Sequence, residues 1–455
     1  MVNRFRRPQG AQRANSHAAI ASLLALCLGV GVASAEEEAG ASGPGLRDAI
    51  ATDYEENLGS LFRHFHANPE LSFRETKTAK RLASELETLG FDVTTGVGKT
   101  GIVAVMRNGE GPTTLIRADM DGLPVKEASG LTYASTALQT DIDGIEKPVM
   151  HACGHDVHIT SLVGTARQLS QRKDDWAGTL VLIGQPAEER ISGARAMLED
   201  GLYTRFPKPD YALAFHVSAD TPTGRIEMPL TTVASSADSV DIIVHGVGAH
   251  GASPHKGIDP VLVGAQIVVG LQSVVSRTIA PLEAGVITVG AFHSGFKHNI
   301  ISDRAELQLT VRSNDPAVRT QLLDGIDRIV DGVARAHGLP EDKMPEVIRS
   351  KTETTPPTIN DRNLAIRLRA VVTDKMGDDI LLDKPRQGMG AEDFAYFVTP
   401  ETGVKGVYFS VGGTPADEVA DAPSHHSPLF KIDPEPAITL GTEAMVLATL
   451  ELMKK

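Results

Sequence analysis

Four short apolar runs, TGIVAVM (100–106), TTLIRADM (113–120), GTLVLIGQ (178–185) and YALAFHV (211–217), alternate with helically spaced segments such as RETKTAKRLASELETLG, SLVGTARQLSQ and GARAMLEDG. Runs this short and this apolar suit strands buried on both faces. Strands alternating with crossover helices build a parallel sheet. Residues 46–236 are therefore expected to form the first part of an α/β domain with a largely parallel central sheet. Ligands of such sheets gather outside the carboxyl ends of the strands.

The pattern changes near Ala237. SVDIIVHG reads as a strand, and DPVLVGAQIVVGLQSVVSR as a helix opened by Asp259 and Pro260. AGVITVGAF and AELQLTV read as strands, and a long helix runs from Asp315-Pro316 to Gly338. Asp-Pro at a helix start and Gly at its end are strong boundary signals. This order matches a split βαβ, ferredoxin-like (βαββαβ) unit, expected over residues 237–340 as an insertion. Residues 341–455 would then complete the first domain, ending in the helix AITLGTEAMVLATLELMKK.

Residues 1–35 read as a secretory signal: Arg4, Arg6, Arg7 and Arg13, an apolar run, then ASA before Glu36. Cleavage near Ala35 would export the protein to the periplasm or the medium, with residues 36–45 as a polar linker and no stable membrane anchor. The full chain carries 44 basic and 58 acidic residues, a net charge of −14. Loss of the four leader arginines would take this to −18. Few aromatics and no basic cluster after the leader argue against nucleic-acid binding.

The chain has two cysteines, Cys27 in the leader and Cys153, so the exported chain could form no internal disulfide. A lone thiol in an oxidising compartment calls for burial or ligation. Cys153 sits in VMHACGHDVH with His151, His155 and His158, and this favours a metal half-site. Cys153 and His155 are two apart, which places them on the strand or loop before a helix, with Asp156 as a candidate N-cap. Glu188 and Glu189 follow the GTLVLI strand. They could bind metal and activate water, or simply complement a helix dipole. His216 closes the YALAFHV run. His425 and His426 lie in PSHHSPLF, and Gly390 lies in GMGAEDFAYF, a glycine loop or a capped helix start. His250 and His255 in GVGAHGASPHKGIDP have the composition of a glycine-rich turn.

Together, HANPELSF, RADMDGLPV, HACGHDVH, QPAEE, FHV, AHGASPHKGIDP, HNIISD, GMGAEDF and HHSPLF make the chain resemble the aminoacylase/hippurate hydrolase family of dinuclear metallohydrolases, which includes the indoleacetyl-amino-acid hydrolases. The resemblance implies a catalytic α/β domain interrupted by a lid that mediates homodimerisation. It implies metal ligation by Cys153, His155, Glu189, His216 and His426, with His426 chosen over His425 because it directly precedes Ser-Pro. It makes Glu188 the general base and His250 an oxyanion-stabilising residue that reaches the partner subunit's site. Asn299 and Arg312 would hold the substrate carboxylate, and Gly390 would line the substrate site. Arg190-Ile191 and Ser302 depart from the family pattern and bear on substrate identity.

The expected activity is metal-dependent hydrolysis of N-acyl amino acids by two divalent ions. A cysteine-histidine-carboxylate set suits zinc or manganese, with cobalt or nickel as alternatives. The competing readings are a dipeptidase or carboxypeptidase of the same superfamily and a non-catalytic metal-binding protein.

Overall fold

The computed structural model describes residues 45–455; the leader, its cleavage site and all of the linker but Gly45 lie outside the described residues. Helices α1 (Gly59–Ala67) and α2 (Thr76–Thr88) precede strands β1 (Asp92–Val97), β2 (Gly101–Asn108) and β3 (Thr113–Asp119). Helix α3 (His155–Gln171) leads to β4 (Gly178–Gln185), β5 (Tyr211–Pro222) and the short β6 (Ile226–Glu227). Next come β7 (Ala237–His245), α4 (Pro260–Ser273), β8 (Gly285–Ser294), β9 (Arg304–Ser313), α5 (Pro316–Ala336) and β10 (Glu346–Thr355). β11 (Lys405–Thr414) and α6 (Pro434–Met453) end the chain.

The first sheet has the order β1-β2-β4-β3-β5-β11-β6. Its alternating side chains feed two cores. Ile102, Ala104 and Met106 of β2 join Leu82, Leu86 and Leu162 on one face. Val103 and Val105 join Met197, Phe394 and Phe397 on the other. With both faces covered, most positions in these runs are apolar; Arg117, Asp119 and Gln185 are buried polar exceptions.

β4, β3, β5 and β11 are mutually parallel, as expected for the centre of the sheet. TGIVAVM, expected to be parallel too, runs antiparallel to β4. Residues 109–112 are too short a link between β2 and β3 to hold the crossover that parallel strands need. His216 does not close its strand either. β5 pairs with β11 as far as Pro222, but its pairing with β3 stops at Ala214. A gap between β3 and β5 therefore begins just before His216.

The second sheet, β8-β9-β7-β10, is antiparallel throughout. Val240, Ile242 and Val244 pack against Val263, Ile267 and Leu271 of α4 and Leu322 and Ile326 of α5, forming a core of their own. Asp259 caps α4 through the N–H groups of Val261 and Leu262, and Asp315 caps α5 through those of Ala317 and Val318. The element order is the expected βαββαβ, but its last strand lies past the expected boundary at 340. Val347 pairs with Ile242 in the ladder, and the sheet runs on to Thr355.

Asp156, expected as an N-cap, lies inside the first turn of α3, and the capping position is Gly154. One Asp156 oxygen accepts from the N–H of Val157 (3.0 Å), and the other meets His66 Nδ1 at 2.7 Å. His66 Nε2 faces Glu127 Oε1 at 3.1 Å, so one imidazole ties α1 to the start of α3. Burial opposes its charge, but the hydrogen bonds to Asp156 and Glu127 outweigh burial and hold its pKa at about 9. A histidine raised above its unfolded value of about 6.5 contributes stability that is complete below that pH and lost as pH rises through the folded value. Between pH 6 and pH 9.5, the unfolding free energy should fall on the order of 3 kcal/mol further in the wild type than in His66→Gln. Urea denaturation at the two pH values measures this, and parallel profiles would contradict it.

Candidate metal centre

The parallel strands deliver polar side chains to one rim of the first sheet. Gly154 has φ +86°, and a Cβ there would lie 2.3 Å from Val217 Cγ1. Only glycine permits that approach, which sets Cys153 in the loop before the helix, as expected, and His155 as the first residue of the helix rather than before it. Beyond β4, Ala187 (φ +49°) and Ile191 (φ +52°) bracket a tight turn carrying Glu188 and Glu189. Asp121, just past β3, braces that turn: its carboxylate accepts from the N–H groups of Glu188 (3.0 Å) and Glu189 (3.1 Å) and from Ser72 Oγ (2.6 Å).

These elements bring side chains far apart in the chain within reach of one another. Cys153 Sγ lies 3.3 Å from His216 Nε2, and His426 Nε2 lies 3.4 Å from Glu189 Oε2. His155 Nε2 is 3.8 Å from Glu189 Oε1 and 4.0 Å from Glu188 Oε2. Cys153, His155 and Glu189 form one group able to hold a cation, and Cys153, His216 and His425 form another. Hydrogen bonds from the surroundings orient the rings. His155 Nδ1 donates to the Asp121 carbonyl (2.8 Å) and His216 Nδ1 to the Val217 carbonyl (2.6 Å), so each Nε2 keeps its lone pair for the rim.

The fit to a metal rests on two buried atoms. His155 Nε2 and Glu189 Oε1 have no hydrogen-bond partner, although they face each other. Charge points the same way. Burial, followed by repulsion from Glu189 and Glu188, pushes the Cys153 thiol well up. Burial also raises Glu188, with Glu392 as the next cause, and lifts Glu189 to about 7. Acidic groups that hold each other protonated are what a bound cation would ionise.

His426 and His425 both line the cavity beside this rim. His425 is half-buried; its Nε2 accepts the N–H of Ala219 at 3.1 Å, while its Nδ1 has no hydrogen-bond partner among the described residues. His426, in a left-handed turn at φ +68°, aims a free Nε2 at Glu189. His158 is committed elsewhere: Nδ1 meets Asp119 Oδ1 at 2.6 Å, and Nε2 accepts from Val217 N–H at 2.9 Å. Arg312 and Gly390 line the cavity, as does Ile191, one of the residues that depart from the family pattern. His250 and Asn299 do not. They are exposed on the lid beside each other, with Gly251 N–H donating to the Asn299 carbonyl at 2.9 Å. The expected carboxylate-binding role of Asn299 is therefore not met within one chain.

Several residues of the site have no counterpart in the expected set. Arg117, fully buried, pairs with Asp119 Oδ2 (2.6 Å) and Glu392 Oε1 (2.6 Å), and its Nε donates to Gln185 Oε1 (2.8 Å). Tyr408 donates to the second Glu392 oxygen at 2.5 Å. Asp119 and Asp121 sit at the end of β3 as Glu188 and Glu189 follow β4, and that equivalence was the available signal.

The Peptidase family M20/M25/M40 model matches residues 115–451. The chain belongs to this family. It is 35% identical over 408 residues to thermostable carboxypeptidase 2 of Saccharolobus solfataricus, covering 89% of this chain and 97% of that one. It is 35% identical over 346 residues to the hippurate hydrolase of Campylobacter jejuni, covering 76% and 86%. Among solved structures, the Bacillus subtilis YXEP protein, a dinuclear metal-binding M20 peptidase, superposes with a TM-score of 0.71 at 28% identity, covering 89% of this chain and 99% of that one. The M20 membership makes this protein a metal-dependent hydrolase with a catalytic domain and a lid.

Proposed function

We propose that the protein hydrolyses the amide bond of N-acyl amino acids, releasing a carboxylic acid and a free amino acid. Cys153, His155, Glu189, His216 and His426 would hold two divalent ions, zinc as the thiolate and imidazole donors favour or manganese as the carboxylate favours. The observation that carries this reading is the pair of adjacent glutamates at the end of β4. Glu189 offers an unpartnered oxygen to His155 Nε2, while Glu188 lines the open cavity. Bound there, two cations would polarise the scissile carbonyl and acidify the attacking water.

The protein's own share is proton transfer and orientation. Glu188 takes a proton from the attacking water and returns it to the amide nitrogen as the C–N bond breaks. Its buried, carboxylate-rich surroundings favour holding that proton between the two steps. Similarity to the hippurate hydrolase supports the N-acyl amino acid class, and similarity to the carboxypeptidase keeps peptides as the second substrate class. A purely metal-storing protein would have no use for Glu188.

Export and dimerisation complete the proposal. The leader supports export. For the dimer, α4 leaves Val261, Leu262 and Val269 exposed, β8 is a free sheet edge, and His250 and Asn299 stand clear of their own chain's cavity. A partner's lid would supply those two residues. Among the described residues, two helices are apolar enough to cross a membrane; we read α6, largely buried, as core and α4 as lid packing. An N-terminus at Glu36 and a solution mass of two chains are the corresponding expectations.

Turnover of a panel of N-acyl amino acids and dipeptides, with manganese or zinc and with chelator, tests the activity. N-acyl amino acids should be cleaved only by the metal-loaded protein. Glu188→Gln should keep its metal and lose roughly 10²–10⁴-fold in rate. Full activity in chelator, or in Glu188→Gln, would contradict the proposal.

A further inference from the structure

We infer that the cavity is built for substrates with a second carboxylate, held by Arg386; this rests on the amidohydrolase reading above. The second acid could belong to the amino acid, as in an N-acylated acidic residue, or to the acyl group, as in the amide of a dicarboxylic acid.

The cavity beside the glutamates has a volume of about 570 Å³, in the range of small-molecule sites. Among the described residues, Arg312 and Arg386 are the two arginines that line it, and no lysine does. One substrate carboxylate accounts for Arg312. Arg386 is then a second half-buried cation without an assigned partner.

Arg386 is tied to the strand end that carries Arg312. Arg312 and Asn314 are two apart where β9 ends, and residues so spaced share a face of an extended chain. The Asn314 side-chain oxygen accepts from Arg386 Nη1 at 3.1 Å. Arg386 Nη2 donates to Ser235 Oγ at 2.7 Å and weakly to the Gly388 carbonyl at 3.4 Å, and Arg312 Nε donates to Thr310 Oγ1 at 3.1 Å. Every one of these acceptors is neutral.

Comparable arginines in this chain are neutralised. Arg319 pairs with Asp238 at 2.7 Å, and Arg369 with Asp383 at 2.8 Å. Burial lowers the proton affinity of both Arg312 and Arg386. Two neighbouring guanidinium groups repel each other, and partial burial strengthens that repulsion. A ligand with one carboxylate pairs one guanidinium, and a ligand with two pairs both. Arginine is also the side chain best shaped for a bidentate grip on a carboxylate.

Arg386 has a possible purely structural use. It joins the Gly388–Gly390 loop to the lid junction, where Ser235 N–H donates to the Gly390 carbonyl at 2.7 Å. A pin of this kind would affect all substrates alike, and a carboxylate receptor would not.

The test uses manganese-loaded full-length protein and two isosteric pairs: N-acetyl-glutamate against N-acetyl-glutamine, and N-succinyl-alanine against N-succinamoyl-alanine. In at least one pair the acid should exceed its neutral amide tenfold or more in kcat/KM, and the pair that does so identifies which end carries the second acid. Arg386→Gln should bring that ratio below threefold, and Arg386→Lys should retain part of it. Calorimetric binding of the same pairs to Glu188→Gln should reproduce the preference without turnover. Ratios near one in both pairs, or equal losses for acid and amide in Arg386→Gln, would overturn the inference. Selective binding without any cleavage would instead overturn the amidohydrolase reading and leave the acid preference standing.

Discussion

The whole arrangement depends on how buried negative charge is balanced at one rim of the first sheet. Asp119, Asp121, Glu188, Glu392, Asp393 and Cys153 are all withdrawn from water there. Arg117 supplies the buried permanent positive charge and is taken up by Asp119 and Glu392, with Asp393 at 3.5 Å. Among the other acids, Glu188 and Glu189 face the His155 imidazole, at 4.0 and 3.8 Å, which Asp119 and Asp121 raise to about 10 against burial. Burial still pushes Cys153, Glu188 and Glu189 up. Burying ionised groups costs several kcal/mol each unless they are paired. Divalent cations bound among them would convert that cost into affinity.

The fold holds the rim ready for such ions. Asp121 fixes the Glu188–Glu189 turn through two backbone N–H groups, and its carbonyl sets the tautomer of His155. Asp119 links Arg117 to His158, which in turn holds the backbone N–H of Val217 beside His216. Ligand orientation thus comes from strands β3, β4 and β5, rigid elements packed on both faces, while the lid brings Arg312 to the cavity beside them. Rigid support with a separate lid suits a site that must keep its geometry while admitting ligand. The lid joins at Ser235–Ser236 and Thr355, with Ser236 N–H donating to the Ser313 carbonyl at 2.7 Å.

Much of this was legible in the sequence. Cys153, His155, Glu188 and Glu189 stood out because thiol, imidazole and carboxylate groups fell where apolar strands end. Asp-Pro and Gly boundaries placed the two lid helices correctly. Other parts left weak traces. β10 has only Val347 and Ile348 as apolar residues, since it is an edge strand with one covered face. The direction of β2 depended on the length of a loop rather than on its own composition. Asp121 left only its place past the end of β3 as a signal, and Arg117 reaches Gln185 and Glu392, partners too distant in sequence for spacing to reveal. Arg386, between Pro385 and Gly388, has the local appearance of a turn.

The central claim is that Cys153 binds metal together with side chains remote from it in the chain. Near-ultraviolet absorption of the protein loaded with cobalt(II) tests this most directly, because thiolate ligation produces a sulfur-to-cobalt charge-transfer band. The band should be present in the wild type and absent from Cys153→Ser loaded in the same way. Stoichiometric cobalt binding without the band, or an unchanged band in Cys153→Ser, would contradict the account.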